Sequence, residues 1–136
     1  MKIALIACVK KKRKGAHPAK DLYISPLFRL ALNYVTHNFQ RYYILSAKYG
    51  LLRPEKRVRG YNKTLNRMSV KNRRMWAVSV ARGIRKVVLR GNELYFYAGK
   101  RYREELMRLL GSDYKCKAPL KGLSIGRQLQ WYKRHL

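Results

Sequence analysis

Residues 2–8 read KIALIAC, with Ile3, Ala4, Leu5, Ile6, Ala7 and Cys8 following Lys2 without a polar interruption. A strand with one wet face alternates apolar and polar residues. An unbroken apolar run this short belongs instead to a strand covered on both faces, as in a parallel sheet. It ends in a basic loop, Val9 to Lys20, that contains Gly15 and Pro18. Ser25-Pro26 then supplies a helix cap and a proline at the first helical position, and Leu27, Leu30, Ala31, Tyr34 and Val35 recur at helical spacing to about Asn38. Residues 41–46, RYYILS, are β-rich and lead into a long basic segment reaching Arg67. Ser69 opens a second helix with Met75, Val78 and Ala81 as its stripe and Trp76 and Val80 alongside, ended by Gly91-Asn92. Leu94 to Ala98 is a third strand, Lys100 to Leu110 a third helix, and Ser124 caps a last helix ending at Leu136. The predicted order is β-α-β-α-β-α-α. It makes residues 1–136 a single small α/β domain with an open, mostly parallel sheet and flanking helices.

The chain carries 33 Lys+Arg against 6 Asp+Glu, a net charge of +27. Such a charge repels itself in a compact state and is best tolerated against a polyanion. A disordered basic tail is excluded because 47% of the residues are hydrophobic and 12% aromatic. No apolar run approaches the roughly 20 residues of a membrane span. The cations Lys10 to Lys14 follow the first apolar run, the reverse of a signal peptide, so the expected location is cytoplasmic. Two cysteines, Cys8 and Cys116, make neither a metal-ligand spacing nor a disulfide framework, and no metal or cofactor is expected.

In an open parallel sheet, ligands collect outside the carboxyl ends of the strands, where the βα loops open and helix N-termini point. Three segments fall on that rim: Cys8 to Lys14, Ser46 to Leu52, and Gly99 to Arg101. Each has a small residue followed by a cation, the combination that a phosphate needs.

The residues on this rim resemble a known family. Ala7-Cys8 with the Lys cluster, Asp21-Leu22-Tyr23 with Ser25-Pro26-Leu27-Phe28, and above all residues 44–52, ILSAKYGLL, are similar to the DUF6884 family of small domains. The resemblance continues through Tyr61, Trp76, Ala98-Gly99, Tyr102, residues 119–123 (PLKGL) and residues 125–129 (IGRQL). The family resembles, distantly, the YaaA-type peroxide-stress proteins. That likeness implies DNA binding and, by remote fold analogy, base-directed chemistry of the DNA-glycosylase kind. Relatives often carry Tyr-Asp after the Gly-Leu-Leu loop, where this chain has Tyr61-Asn62.

Candidate roles follow from residue type. Cys8, beside Lys10, Lys11 and Lys12, is a thiol that cations could make nucleophilic. Asp21, the one acid close in sequence to the first rim loop, is a candidate general base or substrate orienter, with His17 the next candidate after it, and Lys48 is the third candidate catalytic group. Ser46, Tyr49, Gly50, Tyr61 and Gly99 are candidates for holding substrate. Lys10, Lys11, Lys12, Arg13, Lys14 and Arg101 are candidates for gripping nucleic acid. With acids only at Asp21, Glu55, Glu93, Glu104, Glu105 and Asp113, a two-metal nuclease cluster is hard to assemble. Tyrosines interleaved with cations, Tyr49 and Tyr61 foremost, offer faces for base stacking. The expected function is a nucleic-acid-binding domain, DNA rather than RNA, whose rim pocket accepts a base, with metal-independent N-glycosidase-like activity as its catalytic form. The alternatives are a non-catalytic DNA- or RNA-binding module, and a binder of anionic membranes or polyphosphate through a basic last helix carrying Trp131 and Tyr132.

Overall fold

The computed structural model describes residues 1–7 and 12–136; the expectations for Cys8, Lys10 and Lys11 lie outside the described residues. The apolar run becomes β1 (Lys2–Ala7), the central strand of a five-stranded sheet. It pairs in parallel with β3 (Arg41–Ser46) on one side and β6 (Glu93–Tyr97) on the other, with Leu5 level with Tyr43 and Phe96. Alternation along β1 divides the core into two layers. Ile3 and Leu5 join Tyr43, Leu45, Leu94 and Phe96 beneath α3 (Val70–Val87) and α4 (Lys100–Leu110). Ala4 and Ile6 join Ile44 and Tyr97 beneath α2 (Pro26–Asn38) and α5 (Ile125–Arg134). Both faces are covered, which is why no polar residue interrupts β1. Three serines hold the helix starts as expected. The hydroxyls of Ser25, Ser69 and Ser124 accept from the backbone N–H of Phe28, Asn72 and Arg127, respectively.

Four features depart from the sequence expectation. Residues 50–52 continue not as loop but as β4 (Gly50–Leu52), an antiparallel edge strand that folds back on β3 with Gly50 level with Ser46. Gly50 enters it at φ +74°, the left-handed conformation that closes a three-residue hairpin loop and favours glycine. The basic segment beyond it contains β5 (Arg57–Arg59), which pairs antiparallel with β2 (Ala16–Pro18) inside the first basic loop, and α1 (Ala19–Leu22) follows β2 directly. A further short strand, β7 (Lys115–Lys117), completes the opposite edge of the main sheet beside β6. The stripe on α3 is also rotated from the one expected. Ala77, Val80, Ala81 and Ile84 are buried, whereas Met75 and Val78 face solvent, because the layer between α3 and the sheet is already filled by Leu45, Phe96 and Leu106.

Among the described residues, no helix is long and apolar enough to cross a membrane. On α5 the aromatic residues pack inward: Tyr132 is buried, and Trp131 lies edge-on to Tyr34 of α2 at 4.9 Å between ring centres.

Ile84 has no exposure and Met75 is exposed, so truncation should separate the two faces of α3. Ile84→Ala is expected to cost about 2–5 kcal/mol in urea unfolding, whereas Met75→Ala should fall within about 0.5 kcal/mol of the parent. Comparable losses at both positions would contradict this orientation of the helix.

Candidate nucleic-acid interface

Parallel β1, β3 and β6 end at one edge of the sheet, and the carboxyl end of β3 is where the loops converge. Ser46, the last residue of β3, is completely buried, and its hydroxyl organises the rim. It accepts from the backbone N–H of Tyr49 at 2.9 Å and of Lys48 at 3.3 Å, closing the hairpin loop, and donates to the Tyr61 hydroxyl at 2.9 Å. Tyr61 in turn shares a 2.8 Å hydrogen bond with the hydroxyl of buried Tyr23. The Ser46 carbonyl accepts from the Trp76 indole at 2.9 Å, which ties the strand end to α3. One serine thus clasps β3, the hairpin loop, the distant Tyr61 loop and a helix. Ser46 was expected to contact substrate. Its engaged and buried hydroxyl positions the surrounding loops instead.

Around this clasp lies a cavity of about 750 Å³ formed by two segments distant in sequence. Lys12, Arg13 and Lys14 come from the first basic loop, and Arg59, Lys63 and Arg67 from the second. The loops are joined by the β2–β5 ladder, and Tyr49 adds a hydrogen bond from its hydroxyl to the Arg59 carbonyl at 3.0 Å. Val58 and Leu65 reach into the core, one in each layer, and hold the second loop down while its cations point outward. At Gly60 the backbones of the loops nearly touch. A Cβ there would lie 2.5 Å from the Arg13 carbonyl oxygen, so only glycine fits. The Lys12 ammonium lies 4.3 Å from the Tyr61 ring centre, a cation–π contact that occupies one face of that ring.

The acids lie elsewhere. All six ion pairs among the described residues use Glu93, Glu104, Glu105 or Asp113, on β6, α4 and the turn after it. The hydrogen bond from Arg108 holds the Glu105 carboxyl below its ordinary pKa, and that from Lys117 does the same for Glu93. Arg13, Lys14, Arg59, Lys63 and Arg67 have no carboxylate within 4.0 Å. Those five cations of the cavity therefore face no carboxylate among the described residues.

The other expected site residues are distributed along the edge. Lys48, Tyr49 and Gly50 line a neighbouring cavity of about 500 Å³ against α3. Gly99 lines a third, with Lys100 and Arg103, beside the start of α5, and Arg101 lies exposed on α4. The expected single cavity is thus divided into three. Asp21 lines none of these three cavities. Burial first, and then the charges of Glu55 and Asp21, raise the pKa of Tyr42, near the start of β3 and four residues before Ser46. His17 donates to the Lys14 carbonyl at 2.8 Å and braces the first basic loop. Cys116, on β7, is a free thiol whose pKa burial pushes up. Among the described residues, no group of three or more His, Cys, Asp or Glu side chains is placed to hold a metal ion.

Sequence reasoning passed over Arg59, Lys63 and Arg67, which supply half of the basic cavity. Their signal was the dense run of cations in a segment too long for a connector, but its folding back onto residues 12–15 depends on a ladder of three residues per strand.

Fold and edge together define a small α/β domain that assembles a cationic cavity at the carboxyl end of its sheet. Residues 3–134 match the model of a family of unknown function, DUF6884, and the chain belongs to that family. It is similar to the uncharacterized protein YfjM of Bacillus subtilis (strain 168), with 31% identity over 142 residues, covering 98% of this chain and 93% of the relative.

Two substitutions test how the edge is built. Tyr61→Phe keeps the ring beneath Lys12 but removes the hydroxyl shared by Ser46 and Tyr23, and is expected to cost about 1–3 kcal/mol in denaturant unfolding. Gly60→Ala should separate the two basic loops and expose the backbone amides of the ladder, those of Ala16, His17 and Arg57–Arg59, to faster hydrogen exchange. Unchanged stability and exchange would show that the clasp and the close approach contribute nothing.

Proposed function

We propose that this chain is a nucleic-acid-binding domain that grips phosphates in the cavity between its two basic loops, with DNA as the expected polymer. The observation that carries this reading is the segregation of charge. Six cations from two segments converge on one concave surface, while every ion pair among the described residues lies around α4 and the adjacent strands. A lone phosphate would not need six positive side chains. A chain of phosphates does, and release of its counterions supplies the free energy. The distant resemblance to YaaA-type proteins points toward DNA in the same direction.

Two observations favour binding over the alternatives. Base-processing chemistry would need an acid beside Lys48 and the basic cavity, but among the described residues no Asp or Glu lines either cavity. A membrane-lying last helix would need its aromatic face outward, whereas Trp131 and Tyr132 pack against Tyr34. The non-catalytic module is therefore the form of the reading that the geometry supports best.

A salt titration of oligonucleotide affinity tests it. With about six phosphates neutralised, log K should fall against log salt with a slope of roughly −4 to −5. Arg59→Ala and Arg67→Ala should each lower the magnitude of that slope by about 1 without unfolding the protein, since both side chains are exposed. A flat salt dependence, or slopes unaffected by both substitutions, would refute the proposal.

A further inference from the structure

The 500 Å³ cavity against α3 differs in character from the basic one beside it. It is lined by Lys48 and Lys63 at its margins and by Asn72, Met75, Trp76 and Ser79 along the helix. Those four helical positions follow the i, i+3, i+4, i+7 spacing of a single face. Met75 is 62% exposed, an unusual position for a long apolar side chain unless something covers it. The indole of Trp76 is fixed at one edge by its hydrogen bond to the Ser46 carbonyl and held edge-on to Tyr102 at 5.7 Å, so its plane is set before any ligand arrives. The Asn72 amide and the Ser79 hydroxyl line the same space and make no side-chain hydrogen bond among the described residues. A flat apolar surface, a flexible thioether and unused donors and acceptors are what a planar heterocycle with polar edges requires.

Lys63 lines both this cavity and the basic one, so the two are contiguous. From this juxtaposition, and resting on the nucleic-acid reading above, we infer that the α3 cavity receives an unpaired base of a strand whose phosphates lie in the basic cavity. The ligand is accordingly single-stranded or locally unpaired nucleic acid, because a base held in a stack within a duplex cannot reach the indole. An acidic protein would satisfy the cations but leave the Trp76–Met75 face uncovered. The absence of any carboxylate from the lining matches a ligand that is anionic along its whole backbone.

Fluorescence anisotropy with three labelled ligands tests this: a short oligothymidylate, an abasic strand of the same length, and a duplex of matched phosphate number. The oligothymidylate is expected to bind roughly tenfold more tightly than the abasic strand, the size of one base stacked on an aromatic face. It should also bind more tightly than the duplex. Asn72→Ala and Met75→Ala, both at exposed positions, should each erase most of that advantage while leaving abasic-strand affinity and its salt slope unchanged. In a Trp131→Phe background, the remaining Trp76 emission should be quenched by oligothymidylate and not by the abasic strand. Equal affinity for intact and abasic strands, or a preference for duplex, would overturn the base pocket while leaving phosphate binding standing. Failure of all three ligands to bind at low salt would overturn the nucleic-acid reading itself, and the base pocket with it.

Discussion

The hydroxyl of Ser46 is the constraint on which the carboxyl edge of this molecule depends. It is completely buried at the end of a central parallel strand and makes three hydrogen bonds, two from hairpin amides and one to Tyr61. A buried hydroxyl left without partners would cost about 1–3 kcal/mol, so the surrounding chain is obliged to return to it. Tyr61 does so from fifteen residues away, and in returning it brings the second basic loop against the first. Among the described residues, no buried side-chain polar atom lacks a partner, so the network is complete as well as connected.

The placement of the acids explains how so basic a chain tolerates its own charge. The acids are too few to neutralise the surface, and the fold places four of them where α3, α4 and the sheet edge would otherwise crowd cations together. Most of these pairs are exposed and individually weak. Their effect is one of position: repulsion is relieved on the helical side and left unrelieved at the edge formed by the two loops. A field of one sign over a concave surface raises the local concentration of a polyanion and directs its approach. Binding would then relieve the repulsion that folding leaves behind.

How much of this could be read in the sequence depended on the range over which each feature is decided. The unbroken apolar run at Ile3–Ala7 specified a strand covered on both faces, and three serines specified helix starts; both are local properties, and both stand. The three-residue strands were not legible. Arg57–Arg59 contains one apolar residue between two arginines, and only its pairing with Ala16–Pro18 makes it a strand. The stripe of α3 was misjudged by about one residue because Met75 and Val78 are as apolar as the residues that are buried, and the difference lies in what the sheet and α4 had already filled. At the candidate interface, the sequence singled out Tyr61 and the cations of residues 12–14 as loop residues, and the fold brings them to one cavity. The hydroxyl chain joining Tyr61 to both Ser46 and Tyr23, and the absence of Asp21 from the lining of those cavities, are tertiary facts with no local signature.

Backbone amide chemical shifts of the labelled protein, followed while a short single-stranded oligonucleotide is added at low salt, would locate the interface residue by residue. Perturbations should be largest at Arg13–Gly15, Arg59–Lys63 and Asn72–Ser79, the walls of the two contiguous cavities, and small across α4 and β7. Shifts centred on α4 and β7, or spread evenly over the basic surface, would contradict a site organised by Ser46 and its tyrosines.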